Sequence, residues 1–303
     1  MGSSASTTGG SASAFGTRAT ANGGAATAVG QASTATGVLA TAIGGTALAN
    51  GSFATALGAG AAAIGDNATA IGTSSEAAGR EATAIGNASE ATGRQATAVG
   101  FFSGATGDNA TAMGHLSRAI GLNATATGAN SVANDATASA FGAGAQALGA
   151  NSVAIGANSV ASAANTVSFG TAGNERRLTN VAAGINPTDA VNMSQLSSMS
   201  AGFQSQLSGL QSQVSGLQSQ VWNNRTEARR GIAAAVATAT APMPSAPGRT
   251  TWQMRGSVYH GEGGFGFGFA HRLNTLMPLS VVGGYGNGGG TEHTAYVGLG
   301  GEF

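Results

Sequence analysis

Glycine recurs every seven residues from Gly2 to Gly170, interrupted only at Asp135 and Ala163. The residue before each glycine alternates between two kinds, so the true period is fourteen. One series runs through Phe15, Val29, Ile43, Leu57, Ile71 and Ile85 to Phe141, Ile155 and Phe169, while the other, with Asn22, Thr36, Asn50, Thr92 and Asn134, is mostly small or polar. A fixed short period marks a stacked repeat, in which each unit buries its face only against its neighbours. More than half of the chain is therefore a rod, and no enzyme core is expected.

In Ala68-Thr69-Ala70-Ile71-Gly72 the alanines share one face of a short strand, and Thr69 and Ile71 share the other. Only alanine-sized groups fit inside a narrow two-strand coil, so alanine is expected inward and the aliphatic residues outward in a stripe. Glycine tolerates positive φ and close backbone approach, and is expected to turn each corner. A continuous apolar stripe left in water is an association surface, so copies of the rod are expected to pack along it. Asn67, Asn109 and Asn123, each in an Asn-x-Thr triplet, read as corner residues.

Without the period, 51 glycines in 303 residues and a charged fraction of 8% would suggest disorder. All 12 basic residues are arginine and 12 acidic residues balance them, so no electrostatic footprint for nucleic acid exists. The absence of cysteine excludes disulfides and thiolate-held metals. No apolar run of about eighteen residues predicts a membrane-spanning helix. Met1–Gly10 is small and polar, so a signal peptide is not expected within this sequence.

The reading divides the chain into residues 1–173, 174–196, 197–241 and 242–303. Thr188 or Asp189 is a plausible N-cap for the helix that follows the second segment. Leu196, Phe203, Leu210 and Leu217 then lie seven apart, interleaved with Leu207, Val214 and Val221, an a/d seam with Asn224 at the next d position. A helix is expected to run to about Ala241, ended by Pro242, Pro244 and Pro247; about fifty residues would give roughly 75 Å. The last segment reads as four strands, Thr250–His260, Gly264–Arg272, Leu279–Tyr285 and Glu292–Phe303, of a length that suits tilted membrane spans. Four strands cannot close a barrel, and an open sheet edge is not tolerated in lipid. If these strands span a membrane, several chains must contribute.

Other chemistry is weak. Gly284-x-Gly286-x-x-Gly289 is better read as a hairpin loop than as a dinucleotide fingerprint, since no helix follows. His260, Glu262, His271, Glu292 and His293 match no metal-site spacing, and His115 stands alone. Catalytic, cofactor and metal residues are not expected. Trp252 reads as part of an interfacial aromatic belt.

The order of repeat rod, connecting segment, coiled coil and four terminal strands resembles the trimeric autotransporter adhesins, the YadA-like family of Gram-negative bacteria. Ser-Val-Ala-Ile-Gly at 152–156 and its Ala-Thr-Ala-Ile-Gly variants resemble that family's head repeats. Leu178, Thr179, Asn180 and Val181, followed by Asp189, Ala190, Val191, Asn192, Gln195 and Leu196, resemble its neck. The resemblance implies a left-handed parallel β-roll head, a neck, a trimeric coiled-coil stalk and a four-stranded contribution to a twelve-stranded outer-membrane barrel shared by three chains. It further implies a pore helix over 231–241, Gly256 as the small residue that leaves room for chains in transit, Phe303 as the aromatic read by the outer-membrane assembly machinery, and Asn224 as an anion-holding or register position. The partners implied are a homotrimer, membrane lipid and a host-matrix or host-cell ligand. Two rivals are a surface fibre that only spaces or self-associates and, from its outward threonine rows, an ice-binding β-solenoid.

Overall fold

The computed structural model describes residues 3–301, which form two units, one through Thr179 and one from Asn180. In the first, twenty-four short strands run from β1 (Ser6–Thr7) to β24 (Val167–Ser168). Odd-numbered strands stack into one parallel sheet of twelve and even-numbered strands into another. Each coil thus spends a two-residue strand on one sheet and a three-residue strand on the other. The register is uniform: Thr69, Ala70 and Ile71 of β10 pair with Thr83, Ala84 and Ile85 of β12. The fourteen-residue period therefore becomes a ladder in which like residues stack on like.

Alternation decides the interior. Ala68, Ala70, Ala82 and Ala84 are fully buried, as are their equivalents along the rod, and Thr69 and Ile71 face out. Serine takes some inward positions, including Ser33, Ser75, Ser89, Ser103, Ser117 and Ser131. Each folds its hydroxyl back onto the carbonyl of the glycine three residues earlier, as Ser75 does to Gly72 at 2.9 Å. A buried hydroxyl is thereby satisfied locally, and alanine and serine become interchangeable inside.

Glycine opens each corner, with positive φ in one of its two series, but it shares the corner with a second left-handed residue. The left-handed residue is the second after each periodic glycine, and it is seldom glycine: Arg18, Leu39, Phe53, Asn67, Glu81, Phe102, Asn109, Leu116 and Asn123 all have φ between +53° and +62°. Each is the third residue of a turn such as Gly79–Ala82, where the Ala82 N–H donates to the Gly79 carbonyl at 3.1 Å. Closure of the coil imposes this conformation, and the side chain points into solvent where any type fits. The periodic glycines serve the stacking itself. A Cβ on Gly72 or Gly79 would overlap the backbone of Gly86 or Gly93 in the next coil. In the series from Gly16 to Gly156, φ is also +106° to +140°. Asp135 and Ala163, the two interruptions, both fall in the other series, where no left-handed φ is needed.

Arg176 closes this unit. Its guanidinium donates to the carbonyls of Phe169 and Ala157, both at 2.6 Å, and lies over Gly156. It satisfies carbonyls that the next coil would otherwise have met.

In the second unit, helix α1 (Met193–Ala237) is 45 residues long, roughly 68 Å. Its N-cap is Asn192, neither Thr188 nor Asp189. The Asn192 side chain accepts the Gln195 N–H and the Gln195 side chain accepts the Asn192 N–H, a reciprocal capping box. Asp189 instead closes a tight turn, its Oδ2 accepting the N–H groups of Ile185 and Asn186 at 2.9 and 2.8 Å. The helix stops at Ala237, before the expected Ala241, because Thr238 turns out of helical geometry at ψ 110° while its hydroxyl donates to Ala234 O. Residues 238–241 follow a non-helical path toward Pro242.

An antiparallel sheet completes the unit in the order β25 (Thr250–Tyr259), β26 (Glu262–Arg272), β27 (Leu279–Asn287) and β28 (His293–Gly301). The first turn is His260-Gly261, with φ of 48° and 90°, rather than the three residues Gly261–Gly263. Both central residues are left-handed, as a twist-matched two-residue hairpin requires. Strand β27 continues through Gly286 and Asn287, which read as loop in the sequence.

Candidate assembly and anchoring surfaces

The two faces of the solenoid differ in chemistry. Outward positions on the even-numbered strands hold a threonine row, Thr27, Thr41, Thr55, Thr69, Thr83, Thr97, Thr111 and Thr125, beside the aliphatic series, with no charged residue. Ile43, Leu57, Ile85, Met113 and Phe141 of that series are exposed in the single chain. Outward positions on the odd-numbered strands include Glu76, Glu90 and Arg118. A polar ladder follows one edge: Asp66 Oδ1 accepts Ser52 N–H, Asp108 Oδ1 accepts Arg94 N–H, and Gln95 Nε2 donates to Glu81 at 2.6 Å. The Gln95 amide, and then Arg80 and Arg94 nearby, hold the Glu81 carboxyl below the usual glutamate range. The uncharged face suits burial and the charged face suits water.

Other corners carry apolar side chains. Phe101 stacks on His115 with ring centroids 5.5 Å apart and meets Phe102 edge-on at 4.5 Å. Val38, Leu39 and Phe53 are likewise exposed.

Along α1, Leu196, Phe203, Leu207, Leu210, Val214, Leu217 and Val221 are all exposed, Leu217 at 61%. A seam of that length has no partner within one chain. Asn224 lies on the same helix, exposed. Leu178, Thr179, Asn180, Val181, Ala190 and Val191, expected to form a neck, are exposed, and Asn180 is left-handed at φ 60°. Asn192 Nδ2 donates to Val181 O at 3.1 Å. Gln195 ties this segment to the helix most firmly, exchanging hydrogen bonds with Gly184.

The terminal sheet has an apolar face and a helix-packed face. Trp252, Met254, Val258, Phe265, Phe267, Tyr285, Val297 and Leu299 are exposed on the first, Val297 at 81%. Trp252 stacks on Phe267, with centroids 6.5 Å apart. The second face is built from glycine: a Cβ at Gly264, Gly266, Gly268, Gly286 or Gly288 would overlap backbone of Ala233, Ala237, Ala239, Ala234 or Arg230. Ala233, Ala234 and Ala237 are buried there. Gly256 is not among these glycines. It pairs with Phe265 and lies on the apolar face, where a Cβ would meet only Gly264 O at 3.9 Å. Ser257, next along, points to the helix and donates to Ala233 O at 2.5 Å. Phe303 lies outside the described residues.

Several ionisable residues of this sheet make structural contacts. His271 meets Thr250 Oγ1 at 2.8 Å, His293 contacts Tyr285 and Asn287, and Glu262 accepts from Arg230. Among the described residues no cluster of three metal-ligating side chains occurs, and no helix is long and apolar enough to cross a membrane.

Residues 35–61, 63–89, 91–117, 119–134, 136–159 and 147–172 match the family model of the YadA head domain repeat, and residues 177–219 match that of the coiled stalk of trimeric autotransporter adhesin. The chain belongs to the YadA-like trimeric autotransporter adhesins. A curated relative of this adhesin is the autotransporter adhesin NhhA of Neisseria meningitidis serogroup B, 30% identical over 94 residues, or 31% of this chain. The adhesin spans only 14% of that relative's length. The crystal structure of the collagen-binding domain of the Yersinia adhesin YadA is 31% identical, covering 62% of this chain and 85% of that one with a TM-score of 0.25.

Proposed function

We propose that the adhesin works as a homotrimer that carries its own outer-membrane anchor and holds three solenoid heads away from the cell on a coiled-coil stalk. The observation that carries this reading is the coincidence of three unpartnered surfaces along one chain: the uncharged face of the solenoid, the a/d seam of α1, and an open four-stranded sheet with one apolar face. Each is costly in isolation, and one threefold assembly covers all of them. Residues 1–173 form the head, 174–196 the neck, 197–241 the stalk and pore helix, and 242–303 the anchor. On this reading Trp252 belongs to an interfacial belt, and Asn224 sets stalk register or holds an anion on the axis.

The heads attach the cell to host matrix or host cells, and three identical copies supply avidity where single contacts are weak. Loop and corner positions, together with the charged face of the odd-numbered strands, form the contact surface. Self-association of heads between cells is the alternative reading. Ice binding is a weaker rival: the threonine row is regular, but a free ice-binding rod has no use for a stalk and a glycine-faced sheet.

The test is direct. Outer-membrane fractions should yield a heat-resistant trimer, and a monomer under mild extraction would refute the assembly. Binding of the extracted trimer to collagen, fibronectin, laminin and whole bacterial cells separates host attachment from self-association.

A further inference from the structure

The contact between α1 and the terminal sheet is unusually smooth. Buried Ala233, Ala234 and Ala237 pack on a glycine surface, and none of them carries a polar side chain that would fix the depth of the helix. The hydrogen bond from Ser257 to Ala233 O selects no particular turn of α1, since every turn presents a carbonyl, whereas Tyr296 holds Ala239 O beyond the helix end. Among the described residues two side-chain pairs join this region to the sheet: Thr238 with Thr294, at 3.0 Å between hydroxyls, and Arg230 with Glu262. The second is the sole ion pair between them.

Arg230 stands where the helix meets the sheet, three residues before the first buried alanine. Its Nε donates to Glu262 Oε2 at 3.0 Å, and both side chains are partly shielded. Glu262 opens β26 directly after the His260-Gly261 turn. On the other side, Gly288 packs on the Arg230 backbone, and a Cβ at Gly290 would lie 3.3 Å from both Arg230 Nη1 and Glu292 Oε2. Arg230 therefore engages both connections at one end of the sheet, β25–β26 and β27–β28. Helix and strands have different repeats, so one such charged contact is satisfied at one depth of the helix only.

We infer that Arg230 is a positioning residue that sets the axial register of α1 on the terminal sheet, through its ion pair with Glu262. Setting register is the best-attested role of an ion pair held away from water. A slip by one helical turn would strand the Glu262 carboxylate and displace Arg230 by about 5.4 Å, and it would set Arg229 and Arg230, or Ala237 and Thr238, where Ala233 and Ala234 now meet the glycine face. The inference rests on the anchor reading for its biological meaning, since a held helix is what keeps a stalk seated.

Register is readable because the chain has no cysteine of its own. In the full chain, S257C is combined with A233C for the observed register, or with R229C or A237C for a one-turn slip in either direction. Oxidation should cross-link S257C/A233C in the parent chain. Arg230→Gln should move the yield toward a slipped pair by about fivefold, and R230E/E262R should restore the parent pattern. An unchanged pattern in R230Q overturns the inference, and so does a shift or folding loss that the charge reversal fails to rescue. Membrane fractionation of the same preparations tests the anchor separately: failure to sediment as a membrane trimer counts against the anchor, whatever the cross-links show.

Discussion

Gln195 and Gly184 exchange two hydrogen bonds: the Gln195 Nε2–H donates to the Gly184 carbonyl and its Oε1 accepts the Gly184 N–H, both at 2.9 Å. The same Oε1 takes the Asn192 N–H at 3.3 Å. One amide thus pairs with the backbone before α1 as a strand would, and caps the helix that follows. Gln195→Ala should lower stability by about 1–2 kcal/mol and speed hydrogen exchange at Gly184. Exchange at the parent rate would show the pairing to be dispensable.

The glycines divide into classes with opposite responses to alanine. Gly72→Ala places a methyl group against the Gly86 backbone at a left-handed φ and should cost about 3 kcal/mol. In α1, Gly202, Gly209 and Gly216 have open space around them, one in each heptad and off the a/d seam. Each Gly→Ala change there should stabilise the helix by roughly 0.8–1 kcal/mol. Thermal melts of the single variants would show the two signs.

Bulky residues at left-handed corners carry strain that asparagine relieves. Phe53→Asn and Leu116→Asn, at φ of 61° and 56°, should stabilise the isolated rod by up to about 1 kcal/mol. If either corner contacts a ligand, binding falls while melting temperature rises. Paired melting and binding measurements resolve the two effects.

Acidification should loosen the Asp189 turn. The N–H groups of Asn186 and then Ile185, donating to Asp189, hold its carboxyl below the usual aspartate range. A group whose pKa is lower in the folded state stabilises fully above its unfolded value, about 3.9, and loses that contribution as pH falls through the folded value. Exchange protection at Ile185 and Asn186 should therefore persist at neutral pH and fade in acid below the ordinary range. Asp189→Asn should show weakened protection at all pH values, and equal protection in that variant would contradict the assignment.

Charge on an unpartnered surface should prevent assembly without unfolding the coil. Ile71→Asp on the uncharged solenoid face and Leu210→Asp in the seam both place a carboxylate where copies are proposed to meet. Sedimentation should show loss of trimer, most completely for Leu210→Asp, while circular dichroism of the Ile71→Asp variant retains its β signal. A trimer that tolerates both changes would refute the proposed surfaces.

What the sequence determined by itself was everything written as a period. Glycine every seven residues, alanine alternating with threonine and the a/d seam each repeat one local choice many times, so summed preferences fix coil, interior and helix with little ambiguity. The head and stalk resemblance was legible for the same reason, and the alternation of the last strands placed their apolar residues on one face. The tertiary structure decided features that depend on one contact between distant residues. Coil closure, not glycine, places the left-handed residue, because a corner side chain in solvent leaves no compositional mark. Asn192 caps α1 because Gln195 and Val181 meet it there, although Thr188 and Asp189 have equal intrinsic merit. The strand register turns Gly256 toward the apolar face and gives the close-packing role to Gly264, Gly266 and Gly268. Arg176 and Arg230 looked like ordinary charges until the chain brought carbonyls to one and Glu262 to the other. Local propensity is degenerate at such positions, and only long-range geometry removes the degeneracy.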